Sequence, residues 1–160
     1  MLKIAYCVFY SDFCFLNIRK YKELRLTFLK KLISSKKTPM KQIIFTDKAP
    51  VPIGPYSQAV LAGNTLYVSG QIAAELATEG DLKAEAHKIM ENIGSILSEA
   101  AMDYTNIVKT SIFLKNMDDF GLVNEVYGGY FLAAPPARET IQVARLPKDV
   151  NIEISVIAVK

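Results

Sequence analysis

From Lys41 onward, apolar and polar positions follow patterns that mark out eight elements. Lys41–Phe45 is a short apolar strand. The stretch KAPVPIGPYSQ, Lys48–Gln58, is a loop, because Pro50, Pro52 and Pro55 remove backbone donors and Gly54 permits unusual dihedrals. Gln58–Leu61 and Thr65–Ser69 flank Ala62-Gly63-Asn64, a hairpin pattern, and Ser69-Gly70 ends the second of these strands. Leu82, Ala86, Ile89, Ile93, Leu97 and Ala100 then recur at spacings of three and four, which predicts a helix from about Leu82 to Ala101. Ile107–Leu114 is a strand with β-branched residues on both faces. Asn116 caps a second helix, with Asp118 and Asp119 favourable in its first turn and Phe120, Val123, Tyr127 and Phe131 as its apolar stripe. Gly128-Gly129 weaken the end of that helix, and Pro135-Pro136 forbid its continuation. Two strands follow in PPARETIQVARLPKDVNIEISVIA, Pro135–Ala158, with a turn around Leu146–Asp149.

This order of three strands, helix, strand, helix and two strands predicts an α+β fold: one mixed six-stranded sheet with two helices on one face. In the last strand Ile152, Ile154, Val156 and Ala158 lie on one side. Ile157 and Val159 lie on the other, with Glu153 and Ser155. Two apolar faces and helices for only one of them point to burial of the second face by another subunit.

Residues 1–39 differ in kind. Their longest clean apolar run, Ile4–Tyr10, is far short of the roughly 20 residues of a membrane-spanning helix. No small-x-small cleavage site follows it. Residues 17–37 fit a basic helix with Ile18, Tyr21, Leu24, Phe28 and Leu32 roughly on one face, able to lie on an anionic membrane surface. The simpler expectation is a domain spanning residues 40–160, with residues 1–39 a disordered extension or an over-long gene model.

The net charge of +3 belongs to that leader. Removing the nine basic and two acidic residues of positions 1–39 leaves ten basic and 14 acidic residues, so the body is net −4. Nucleic acid is therefore not the expected partner. Both cysteines, Cys7 and Cys14, also lie in the leader, which rules out a disulfide framework or a cysteine-ligated metal in the body and fits a reducing, cytoplasmic location.

The body's one histidine, His87, sits on the polar side of the first helix and reads as solvated. A Cys–His pair is thereby excluded, and a Ser–His–acid triad and a phosphate loop have no support. No metal is expected, because no cluster has metal-ligand spacing. Catalysis by positioning, an ion pair and proton transfer remains. Arg138, held by two prolines, is either a fork for a ligand carboxylate or half of a salt bridge at a strand end. Glu153 lies between two isoleucines, where a carboxylate is costly unless paired, so it is a functional acid or half of a structural ion pair. Tyr56 is a phenol at a pocket rim or a packing aromatic. Ser69-Gly70 lets a ligand approach the backbone or merely turns the chain. If the last two strands pair as a hairpin, Arg138 and Glu153 stand about 16 Å apart at strand rise. They then share a site only through neighbouring subunits, or if the strands do not pair directly.

The stretches IGPYSQAV, LYVSGQI, NIVKTSIFLKNMDDFGLVNEVYGGYF and PPARETIQVARLPKDVNIEISVIA, in this order, resemble the Rid (reactive intermediate deaminase, YjgF-type) family, in its RidA-like branch, over Met40–Lys160. The resemblance implies a chorismate-mutase-like fold, a homotrimer with ligand sites between subunits, and no cofactor. It implies hydrolysis of 2-enamino and 2-imino acids such as 2-aminoacrylate and 2-aminocrotonate to 2-oxo acids and ammonia. These intermediates are released by pyridoxal-phosphate-dependent dehydratases. On this resemblance Arg138 binds the substrate carboxylate, Glu153 positions or activates water, and Tyr56 lines the cleft. Ser69 and Gly70 contribute backbone contacts, while Asn124 and Thr140 complete the pocket. The chain departs from the pattern in Thr140, where many members carry cysteine, and in Glu139, where a small residue is usual. It also has a short QIAAELATEGD segment and the 39-residue leader. Two other functions compete: a non-catalytic trimer that binds small carboxylates, and a ribonuclease or translation inhibitor.

Overall fold

The computed structural model describes residues 41–160, so the basic helix expected in residues 17–37 lies outside the described residues. Six strands and two α-helices run in the order β1 (Gln42–Ile44), β2 (Ala59–Ala62), β3 (Thr65–Gln71), α1 (Leu82–Glu99), β4 (Ile107–Leu114), α2 (Phe120–Gly128), β5 (Ala137–Gln142) and β6 (Ile152–Val159). They form the expected α+β architecture. The strands make one sheet in the order β1-β2-β3-β6-β4-β5. Only β4 and β5 pair in parallel.

Local chemistry sets each element. Gly63 takes φ +60° in the two-residue turn that joins β2 to β3, across the Ala62↔Thr65 pair. Asp81 opens α1 by accepting the Ala84 N–H at 3.0 Å. The helix ends at Glu99, and Ala101 turns the chain at φ 54°. Asn116 caps a single 3-10 turn, Met117–Asp119, from which α2 continues at Phe120.

The predicted alternation is observed. Leu66, Val68, Ile112, Leu114, Ile152, Ile154, Val156 and Ala158 form the buried sheet face, packed with Ile89, Met90, Ile93, Ile96 and Leu97 of α1 and Val123 and Tyr127 of α2. Each large side chain there contributes about 1.5–3 kcal/mol by leaving water. The other face carries apolar side chains from every strand, among them Ile43, Val60, Tyr67, Ile157, Val159, Phe113 and Ile141. Ile43, Tyr67 and Ile141 are 51%, 50% and 47% exposed, so among the described residues nothing covers that face.

One expectation fails. The last two strands do not form a hairpin, because β4 lies between them and pairs with both. The chain leaves β4, crosses through α2 and returns as β5 in the same direction, which makes the β4–β5 pair parallel. The segment Val143–Asn151 then passes β4 and lays β6 down antiparallel on its far side.

A candidate active site in two halves

The first half is built on the proline loop. Gln58 is buried, and its amide pins that loop from inside. Its Oε1 accepts the Thr46 N–H at 2.8 Å, and its Nε2 donates to the carbonyls of Thr46, Ala49 and Pro50 at 3.0, 3.2 and 3.0 Å. The Tyr56 hydroxyl accepts the Ile53 N–H at 3.3 Å, which folds the ring back over the loop. Ser69 ties β3 to the same loop: its N–H donates to the Gln58 carbonyl at 3.0 Å and its hydroxyl to the Ser57 carbonyl at 2.7 Å. Of the backbone N–H groups of Ser69-Gly70, that of Ser69 is thus engaged, and the residue braces the loop.

Beyond Ser69 the β3–β6 register shifts, between Val68 and Gln71. This irregularity puts Gly70 beside Glu153, whose Oε1 stands where a Cβ on Gly70 would be. Tyr56, Ser69, Gly70 and Glu153 together line a cavity of about 250 Å³, with apolar walls from Ile53, Ile72 and Pro147. Burial raises the proton affinity of the Glu153 carboxyl above the ordinary carboxylate value, and no cation pairs with it among the described residues.

The second half lies on the other side of the sheet. Arg138 pairs with Thr110 in the β4–β5 register, and Thr110 pairs with Val156 on the helix-facing side. Its guanidinium carbon is 4.9 Å from the centroid of the Tyr127 ring and 5.7 Å from that of Phe120, both on α2. The Tyr127 hydroxyl is held in turn by Thr110 Oγ1 at 3.1 Å. Arg138 makes no ion pair among the described residues, so its hydrogen-bonding edge is uncommitted. Thr140, two residues along β5 on the same side, has a buried hydroxyl with no partner among the described residues. Asn124 is exposed and follows Phe120 by four residues on α2, which sets it on the helix face that carries Phe120 and Tyr127.

The seven predicted residues therefore gather as two groups. Glu153 pairs with Phe113, three residues along β4 from Thr110 and on the sheet face away from the helices. Arg138 and Glu153 cannot meet within one chain, because the sheet separates them. Ile53, Ile72, Pro147 and Gln58 were not anticipated. The first three are ordinary apolar or loop residues in the sequence, and a glutamine ahead of a strand carries no signal of burial.

Glu139, which departs from the family pattern, points the other way from Arg138. It pairs with Lys109 and accepts from Ser111, and these contacts hold its carboxyl below the ordinary carboxylate range.

Residues 46–160 match the sequence model of the family described as Endoribonuclease L-PSP. Over 125 residues the chain is 48% identical to a RutC family protein of Pyrococcus horikoshii, covering 76% of this chain and 99% of that protein. It is 47% identical over 125 residues to the 2-iminobutanoate/2-iminopropanoate deaminase of Rattus norvegicus, covering 76% and 91%. The crystal structure of RidA from the Antarctic bacterium Psychrobacter sp. superposes with a TM-score of 0.70 at 40% identity, over 74% of this chain and 99% of that one. A matched sheet, a matched family model over most of the chain and relatives aligned over nearly their whole length establish that this protein belongs to the Rid (YjgF-type) family.

Proposed function

We propose that the protein hydrolyses 2-imino and 2-enamino acids to 2-oxo acids and ammonia, at sites completed between copies of a homotrimer. The observation that carries this reading is the placement of an uncommitted guanidinium and an uncompensated carboxylate on opposite faces of one sheet. A second copy that meets the uncovered face with its β5 edge and α2 would bring its Arg138 half to the Glu153 half of the first. The residues 40–160 then constitute the catalytic domain, and a cytoplasmic location beside the dehydratases that release such imines fits the reading. The rat relative's name supports the substrate class.

In this mechanism the Arg138 fork takes the substrate carboxylate in a bidentate grip, stiffened by Phe120 and Tyr127. Asn124, on the α2 face that carries Phe120 and Tyr127, and Thr140, on the Arg138 side of β5, complete the pocket around that carboxylate. Across the interface, Glu153 accepts a proton from water as the water oxygen bonds to C2 of the iminium. The C2–N π electrons move to nitrogen, giving a carbinolamine. Glu153 returns the proton to that nitrogen, and the carbinolamine hydroxyl gives its own proton back to Glu153 as its electrons form the C=O bond. The C2–N bond breaks, and ammonia leaves with the 2-oxo acid and takes up that proton as ammonium. An enamine first takes a proton from solvent at C3 to become the same iminium. The electrophile is already activated, so positioning and one proton shuttle suffice.

The test is direct. 2-Aminoacrylate or 2-aminocrotonate is generated in situ by a serine/threonine dehydratase, and its loss is followed by trapping as the semicarbazone. Wild type accelerates the loss, and Arg138→Ala lowers kcat/KM on the order of a hundredfold. A correctly assembled wild type without activity overturns the reading in favour of carboxylate binding alone. Ribonuclease activity, which the family's description names, is checked in parallel; the net −4 body speaks against a phosphate-tracking surface.

A further inference from the structure

Glu85 is a fully buried acid on α1 that the mechanism does not use. It pairs with no cation among the described residues. Its carboxylate instead reaches the start of β6. Oε1 accepts the N–H groups of Asn151 at 3.0 Å and Ile152 at 3.2 Å, and Oε2 accepts from Asn151 Nδ2 at 2.8 Å. The β3–β6 pairing ends at Gln71↔Ile154. The acid thus takes over where β3 stops and satisfies two main-chain donors that need a partner on burial. Ile152 is the residue immediately before Glu153.

The same node joins the walls of the first half-site. Asn151 Nδ2 also donates to the Ala77 carbonyl at 3.3 Å, in the segment that follows Ile72. Asn151 directly follows the 3-10 turn Pro147–Asp149 and its cap Val150. Ile72, Pro147 and Glu153 all line the cavity, so one buried acceptor references three of its walls to α1.

We infer that Glu85 is a positioning residue for Glu153, acting as a main-chain acceptor that fixes where β6 begins. The inference rests on the deaminase reading for its kinetic consequence, but the clamp itself does not. Two of the three bonds go to one oxygen, and no cation partners the group among the described residues, so the clamp rests on where that oxygen stands. Glutamine keeps that oxygen at the same reach and gives up only the bond from Asn151 Nδ2, aspartate falls short by one methylene, and leucine removes the acceptor.

The experiment compares Glu85→Gln, Glu85→Asp and Glu85→Leu in the full chain. Glu85→Gln is expected to stay within about twofold of wild type in kcat, whereas Glu85→Leu loses on the order of tenfold with little change in KM, because the carboxylate grip of Arg138 is untouched. In a Glu153→Gln background the Leu effect should shrink, since a residue acting through Glu153 has nothing left to position. If Glu85→Leu does not fold, Glu85→Asp decides, with a smaller loss confined to kcat. Gln as damaging as Leu or Asp, an unchanged kcat in the Leu and Asp variants, or a loss carried by KM overturns the inference. Amide hydrogen exchange at Ile152, accelerated by Asp or Leu and not by Gln, tests the clamp without turnover. A wild type lacking deaminase activity but showing this exchange pattern overturns the kinetic role with the proposed function and leaves the clamp standing.

Discussion

The Glu153 carboxylate occupies the space that a side chain on Gly70 would fill. The β3 irregularity brings the two residues together, and only a residue without Cβ leaves the acid its place.

Gly70→Ala is therefore expected to expel the Glu153 carboxylate from the cavity while the sheet persists, because the atoms displaced are the free end of a side chain. Deaminase kcat should fall on the order of tenfold or more, with a thermal midpoint close to wild type. Steady-state kinetics beside a calorimetric scan check this. A large fall in midpoint with normal specific activity contradicts it.

Two inactive variants should complement each other. Arg138→Ala lacks the second half-site and Glu153→Gln the first, and the sheet keeps these halves apart within one chain. Co-expression at equal levels should restore about a quarter of wild-type sites, since each site draws its two residues from adjacent copies of a cyclic assembly. Tagged co-purification followed by the semicarbazone assay measures it. Activity no greater than that of the separate variants removes the shared site.

Burial makes the folded protein hold the Glu153 proton more tightly than the unfolded chain does. The stability this contributes is complete below the ordinary value of 4.5 and is lost as pH rises through the higher folded value. Glu153→Gln, neutral throughout, should thus be more stable than wild type at pH 7, with the difference closing below about pH 4.5. Urea titrations at both pH values test the sign. As a base in turnover, the same group makes kcat/KM rise with pH through a midpoint above the ordinary carboxylate range.

Gln58→Leu leaves the buried Thr46 N–H and the three carbonyls it now serves without their partner. A loss of at least about 2 kcal/mol is expected in denaturant unfolding. Because the loop carries Tyr56, activity should fall in the surviving folded protein as well.

The sequence by itself determined the elements, the two faces of each strand and the chemistry on offer. Period-two and period-3.6 patterns are local, and burial enforces them residue by residue, so Ile152, Ile154, Val156 and Ala158 could be assigned to one face before any contact was known. Glu153 stood out because an acid between isoleucines is a costly placement, whereas Arg138 alone fitted a strand-end salt bridge equally and was singled out by the resemblance. Strand order was not legible, since it depends on which distant segments meet, and the insertion of β4 between β5 and β6 replaced a hairpin with a crossover. The register of β5 on β4 and the packing of α2 set Arg138 against the helix, while Glu153 on β6 faces away. Glu85 was hidden for the same reason: an acid one residue from an apolar stripe looks solvated until the fold brings the unpaired N–H groups of Asn151 and Ile152 to its carboxylate.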